Sequence, residues 1–274
     1  MPSPAAVAAF AFHEVTRDPS DSGFQRPAAL PYKLTPEAFG RCLDGITRAR
    51  HAPTLVTDRP LGGGGKRIFL TFDDGGRSAL RAGDELVRRG WRGHFFVVTG
   101  RIGGRTFLAR EEIRRLADDG HLIGSHSHSH PDIFRELTPA RMAEEWRVSI
   151  DVLSQLLGAP CDVGSVPGGD ISPRVLASAG PAGLRHLFTS EPEVRPRMVE
   201  GCWVVGRFNV KAGMRPERID ALAEFRGWTA ALAERRLRVL ARRSIPLLYR
   251  LSVRHRTREP GDAEAAGGIE RGRP

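Results

Sequence analysis

Two short stretches of this 274-residue chain bring together side chains able to do chemistry. Thr71-Phe72-Asp73-Asp74-Gly75 closes an apolar run with two adjacent carboxylates. Further on, residues 120–132 read Gly-His-Leu-Ile-Gly-Ser-His-Ser-His-Ser-His-Pro-Asp, with histidines at 126, 128 and 130. Each stretch alone has a plain reading: Asp-Asp-Gly also suits a cap and turn before a helix starting near Ser78, and a His-rich loop can simply be solvated. Joined, Asp74, His126 and His130 make a set of two histidines and one carboxylate that leaves coordination positions open for water and substrate. That set suits a catalytic divalent metal, Zn²⁺ first, with Fe²⁺, Co²⁺ or Ni²⁺ compatible. On a helical turn the i, i+4 spacing of His126 and His130 would aim both at one ion and turn His128 elsewhere. Asp73 is then left as a general base.

The elements around these stretches must position them. Residues 5–12 read as a first strand, 17–31 as a polar loop, and the segment from Thr35, with Pro36 at a first helical position, as a helix buried through Phe39, Leu43 and Ile46. The run 67–72 is a buried strand. The Gly62–Gly65 run before it is no phosphate loop, because no Ser or Thr follows Lys66 and the glycines precede a strand. Helices at 77–89, 110–118, 138–157 and 172–180 then alternate with strands at 94–98, 122–125, 161–166 and 186–189, and a strand follows at 202–205. Such alternation predicts an α/β fold with a parallel sheet, open or closed into a barrel, whose sites lie at the C-terminal strand ends. One body is expected over 1–213, a basic helical segment over 214–257, interrupted by Pro246, and a disordered tail over 258–274.

These residues resemble the polysaccharide deacetylase family, carbohydrate esterase family four, which shares a nodulation-deacetylase homology domain. The matching motifs are T-F-D-D-G at 71–75 and G-H-x-I-G-S-H-S-x-S-H-P at 120–131; His94-Phe-Phe-Val-Val98 and the Pro167-Gly168-Gly169 loop match more weakly. The resemblance covers about residues 5–210. It implies a distorted (β/α)7 barrel with a metal at its mouth, Asp74, His126 and His130 as ligands, Asp73 as catalytic base, and substrate contacts from Pro167, Gly168, Gly169 and Asp170. The implied reaction is metal-dependent hydrolysis of an N-acyl group, N-acetyl above all, from an amino sugar or a sugar-containing molecule.

Two motifs depart from the family pattern. Where the family's third motif has an Arg two residues before Pro167, orienting the base, this chain has Ser165. Where the fifth motif supplies a histidine acid, the strand Gly201-Cys-Trp-Val-Val-Gly-Arg207 carries Arg207 at or beside that place, and no histidine follows before His255. An arginine cannot give up a proton near neutral pH, although Arg207 can restore a positive charge beside Asp73. The acid then comes from elsewhere: His13 at the end of the first strand, then Asp170 or His128, or Asp73 itself as a shuttle. His13 also reads as a hydrogen-bonded strand-end histidine. Without the Arg and His, a metal-retaining pseudoenzyme that binds a sugar is the alternative function.

The formal charge is +10, yet its distribution is uneven. Residues 207–258 hold 14 basic against 4 acidic side chains, and the rest of the chain balances 28 against 28. Nucleic acid is not an expected partner, since no binding motif accompanies the arginines. A basic amphipathic segment does suit peripheral contact with an anionic membrane. Composition excludes collagen, global disorder and a disulfide-stapled miniprotein; Cys42, Cys161 and Cys202 are read as reduced, buried thiols. The apolar stretch 5–12 runs straight into His13 and Glu14 with no basic residue before it, so it reads as a strand and not as a signal peptide, and the expected location is cytoplasmic.

Overall fold

The computed structural model describes residues 4–169 and 171–244. Strand β1 (Ala6–Phe12) leads to a short pair, β2 (Glu14–Val15) and β3 (Lys33–Leu34), and then to α1 (Pro36–Thr47). The repeat follows as β4 (Lys66–Phe72), α2 (Ala79–Arg88), β5 (His94–Val97), α3 (Arg110–Asp118), β6 (Leu122–Ser125), α4 (Pro139–Leu157), β7 (Val163–Ser165), α5 (Pro173–Ala179) and β8 (His186–Phe188). It ends with β9 (Arg197–Val199), β10 (Cys202–Val205), β11 (Phe208–Asn209), α6 (Pro216–Ala223) and α7 (Trp228–Ser244). Three helices start on the same local signal: Thr35, Thr138 and Ser172 each accept a backbone N–H of the first turn, and each is followed by a proline whose missing N–H costs nothing there.

The main sheet runs β11-β1-β4-β5-β6-β7-β8-β10-β9, all parallel except β9. Its two ends cannot lie far apart. β10 stands next to one edge and β11 forms the other, yet only Gly206 and Arg207 separate them in the chain. The sheet therefore curls into a distorted barrel whose staves are β1, β4, β5, β6, β7, β8 and β10, with β11 closing the seam against β1 through Phe10 and Phe208.

Alternation sorts the side chains. Val7, Ala9, Phe69, Phe96, Val163, Phe188 and Val205, drawn from six staves, form one buried cluster that fills the barrel. Each fully buried ring there contributes roughly 1.5–3 kcal/mol. The opposite faces of β1, β4 and β5 present Phe10, Phe12, Leu70, Phe72 and Phe95 to the surrounding helices. His94 belongs to the interior, accepting from the Val56 N–H and placed against the Leu70 carbonyl, and burial lowers its pKa to about 4.

The C-terminal region folds back on the seam: Trp228 packs near Phe10 and Phe208 and donates its indole N–H to the Leu222 carbonyl. Up to residue 244, the basic helical segment expected over 214–257 is two helices, because Phe225 and Gly227 take left-handed backbone (φ 61° and 82°). The remainder of that segment and the tail lie outside the described residues. Among the described residues no helix is long and apolar enough to cross a membrane, and Cys42, Cys161 and Cys202 are buried free thiols.

Candidate active site

Beyond the aromatic plug, the same alternation carries the inward face to the C-terminal strand ends. Continuing β1, β4, β6, β7 and β10 by one inward step gives His13, Asp73, His126, Ser165 and Arg207. Asp73 receives both arms of the Arg207 guanidinium, Nη1 on Oδ1 at 2.7 Å and Nη2 on Oδ2 at 2.8 Å. Arg207 Nη2 also donates to Ser165 Oγ at 2.6 Å, Nη1 to Thr71 Oγ1 at 2.9 Å, and Nε to the Thr189 carbonyl at 3.1 Å. Its side chain is 0% exposed, and its carbon Cζ lies 5.6 Å from the Phe96 ring centre. The small Ser165 leaves room for this approach and donates its own hydroxyl to Asp73 Oδ2 at 3.3 Å. Burial pushes the Asp73 carboxyl up, but Arg207 and His126 outweigh it and hold the group below the usual range.

Asp74 would point outward if strand alternation held. Instead it takes φ 75°, and its side chain turns to the mouth beside His126 and His130. Residues 126–130 form no helical turn: Ser127 (φ 63°) and His130 (φ 56°) are left-handed, and this irregular path, not helical spacing, brings the two imidazoles together. Non-glycine residues held so cost of order 1–3 kcal/mol each and persist where the surroundings impose them. Here the imposition is visible. Glu145 on α4 accepts from the backbone N–H groups of His128 and Ser129 and from Ser129 Oγ, while Ser127 Oγ accepts from the His130 N–H.

One ligand atom each from Asp74, His126 and His130 lies within 4.8 Å of the others. His126 Nε2 is 3.4 Å and His130 Nε2 3.7 Å from Asp74 Oδ1. The donor set fits a divalent cation. The Ser165 carbonyl, 3.0 Å from His126 Nδ1, fixes the proton on that nitrogen and leaves Nε2 free to bind. His130 differs: its Nδ1 faces Arg26 Nη2 at 3.0 Å, and a guanidinium only donates. For Nε2 of His130 to bind an ion, that contact must yield, and Asp132, 3.0 Å from Arg26 Nη1, already holds the other arm. Burial, the His126 charge and Arg26 push the His130 pKa down to about 3, with Asp74 opposing; burial pushes Asp74 up, but the neighbouring histidines hold it well below the carboxylate range.

His13 stacks on Tyr32 with ring centres 4.5 Å apart, and its Nδ1 is buried with no hydrogen-bond partner. His128 turns away, with Nδ1 3.0 Å from Thr99 Oγ1. Pro167, Gly168 and Gly169 form a tight turn with both glycines left-handed, and a Cβ on Gly169 would meet Ser190 Oγ. Asp170 lies outside the described residues.

The stretch read as a polar loop walls the site. Phe24 lies 4.8 Å from the His130 ring, with Arg26 stacked 4.0 Å over Phe24. Glu14 anchors this wall by accepting from Ser22 Oγ and from Ser78 Oγ, leaving Oε1 with no partner. Burial pushes its pKa up to about 7 against those two hydrogen bonds. Glu145, Arg26 and Glu14 escape the motif reading, although Glu145 interrupts the apolar stripe Met142, Trp146, Leu153, Leu156 of α4, a signal that sequence alone carries.

Residues 62–187 match the model of a family described as polysaccharide deacetylase. The putative polysaccharide deacetylase YxkH of Bacillus subtilis is 25% identical over 160 residues, 58% of this chain and 57% of that protein. The peptidoglycan-N-acetylmuramic acid deacetylase PdaA of the same organism is 37% identical over 121 residues, 43% of this chain and 41% of that one. The match thus spans about half the length of these relatives. The solved structure of IcaB from Ammonifex degensii superposes with a TM-score of 0.65 over 81% of this chain and 98% of that one at 20% identity, a likeness of fold.

Proposed function

From the match of residues 62–187 to the polysaccharide deacetylase model, we propose that this chain is a deacetylase of that kind and removes an N-acyl group, N-acetyl first, from an amino sugar, using a divalent metal held by Asp74, His126 and His130. The observation that carries the reading is the pair formed by the Arg207 guanidinium and Asp73 beside that cluster. When bound, the cation supplies Lewis-acid polarisation of the amide carbonyl and acidifies a water.

The chain's own residues do the rest. A carboxylate offers about four lone-pair positions. Arg207 fills one on each oxygen of Asp73 and Ser165 fills another on Oδ2, so the open position is on Oδ1. There Asp73 accepts a proton from the attacking water, while Arg207 keeps its carboxylate ionised and fixed in direction. His13 is the acid. Burial lowers its pKa against the pull of Asp74 and Asp73, so the ring enters the cycle neutral and hands the departing nitrogen the proton that Asp73 has taken up. Acetate and a free amine leave.

The direct test is release of acetate, with matching amine, from N-acetylated amino sugars and their oligomers by metal-replete protein, lost in Asp73→Asn and in His126→Ala. No release from any of these substrates overturns the reading.

A further inference from the structure

A half-enclosed cavity of about 150 Å³ adjoins the site, sharing Arg207 and Tyr32 as walls. Its polar lining comes from β11 and the C-terminal helices: Asn209, Lys211, Arg218, Glu234 and Arg235. The arginines are engaged. Arg207 holds Asp73, Arg218 pairs with Glu234 at 2.8 Å, and Arg235 pairs with Glu191 at 2.9 Å. Lys211 is different, since no carboxylate among the described residues pairs with it and its ammonium rests 5.1 Å from the Tyr32 ring centre. Such a contact is weaker than a charge-assisted hydrogen bond to an oxyanion. Close by, Asn209 Oδ1 is buried with no donor.

Strand register says where this cation stands. β1 and β11 pair in parallel, Ala11 opposite Asn209, so two residues further along Lys211 comes level with His13 at the barrel mouth. Tyr32 lies between them, its ring 4.5 Å from that of His13 and 5.1 Å from Lys211 Nζ, which keeps the ammonium within about 10 Å of the His13 ring.

We propose that this cavity is a subsite for an anionic substituent of the substrate, a carboxylate or phosphoryl group on the N-acylated sugar or its neighbour. Lys211 supplies the ion pair and Asn209 Oδ1 accepts a sugar hydroxyl. The proposal rests on the deacetylase reading for the identity of the sugar, and its test is read by binding, not turnover.

The full-length protein is titrated calorimetrically with N-acetylglucosamine, N-acetylmuramic acid and N-acetylglucosamine 1-phosphate, the last two separating carboxylate from phosphoryl recognition. At least one anionic sugar should bind about tenfold tighter than the neutral one. Lys211→Met should abolish that preference at unchanged affinity for N-acetylglucosamine, and Lys211→Arg should retain it. Equal binding of all three sugars, no binding of any, or a preference that survives in Lys211→Met overturns the subsite. Anion preference without acetate release leaves the subsite standing and sinks the catalytic reading instead.

Discussion

Arg207 and Asp73 form a two-armed ion pair of 2.7 and 2.8 Å in which the guanidinium side chain is fully buried and the carboxylate nearly so, at 0% and 4% exposure. The arginine expected from the third motif is absent at Ser165, and the charge arrives from the end of β10 instead. Removing one member of a buried pair strands the other. Arg207→Met should therefore destabilise the fold by about 3–5 kcal/mol in urea unfolding and abolish hydrolysis. Arg207→Lys, which keeps the charge and loses the fork, should fold and turn over about tenfold more slowly. Wild-type stability in the Met variant would contradict the geometry.

His13→Ala should lower the rate by about 10²–10⁴-fold if the imidazole is the acid, with metal content unchanged. Its buried, partnerless Nδ1 is the structural reason for choosing it. Full activity in this variant would return the proton transfer to Asp73 alone.

Removing a group that accepts from a ligand histidine usually weakens metal binding 10–100-fold. Arg26 has the opposite polarity, donating toward His130 Nδ1. Arg26→Met should therefore tighten divalent-ion binding, about tenfold in titrations against a competing chelator. Weaker binding would mean that the guanidinium acts only through Asp132.

Glu145 accepts three hydrogen bonds from residues 128 and 129. Glu145→Ala should lower stability by about 2–3 kcal/mol and reduce metal retention, since the left-handed path through Ser127 and His130 loses its support. Equal metal content in wild type and variant, measured after dialysis, would place the support elsewhere.

For Glu14 the sign follows from linkage. Its folded pKa, about 7, lies above the ordinary 4.5, so the folded state holds the proton longer and stability falls as pH rises through that window. Glu14→Gln carries no such term. Its stability relative to wild type should improve by about 3 kcal/mol between pH 4 and pH 8, read from paired urea titrations. A difference that does not vary with pH would show that the carboxyl ionises without cost.

Much of the site can be read from strand periodicity. His13, Asp73, His126, Ser165 and Arg207 all follow the inward phase set by Val7, Phe69, Val163 and Val205, and the seam explains how Arg207, far from Asp73 in sequence, arrives beside it. Asp74 and His130 are legible by type only, because left-handed backbone at single residues leaves no periodic trace. β2, β3, β9 and β11 are two or three residues long, too short to show alternation. The break between α6 and α7 was marked by Gly227, inside a run otherwise helical in composition. Arg26 and Glu14 act through tertiary contacts with residues distant in sequence, Arg26 with His130 and Asp132 and Glu14 with Ser78, so nothing local announces them.

The seam has a consequence for how the protein comes into being. Strands β1 and β11 lie almost two hundred residues apart, and their pairing is the most non-local in the sheet. Contacts of this kind form late, after the entropy of closing a long loop has been overcome. A nascent chain synthesised only as far as β8 holds Asp73, Asp74, His126 and His130 but lacks Arg207, so the Asp73 carboxylate has no guanidinium partner. In the proposed mechanism, competence for hydrolysis is thereby tied to the final act of folding, and a chain halted during translation is inert.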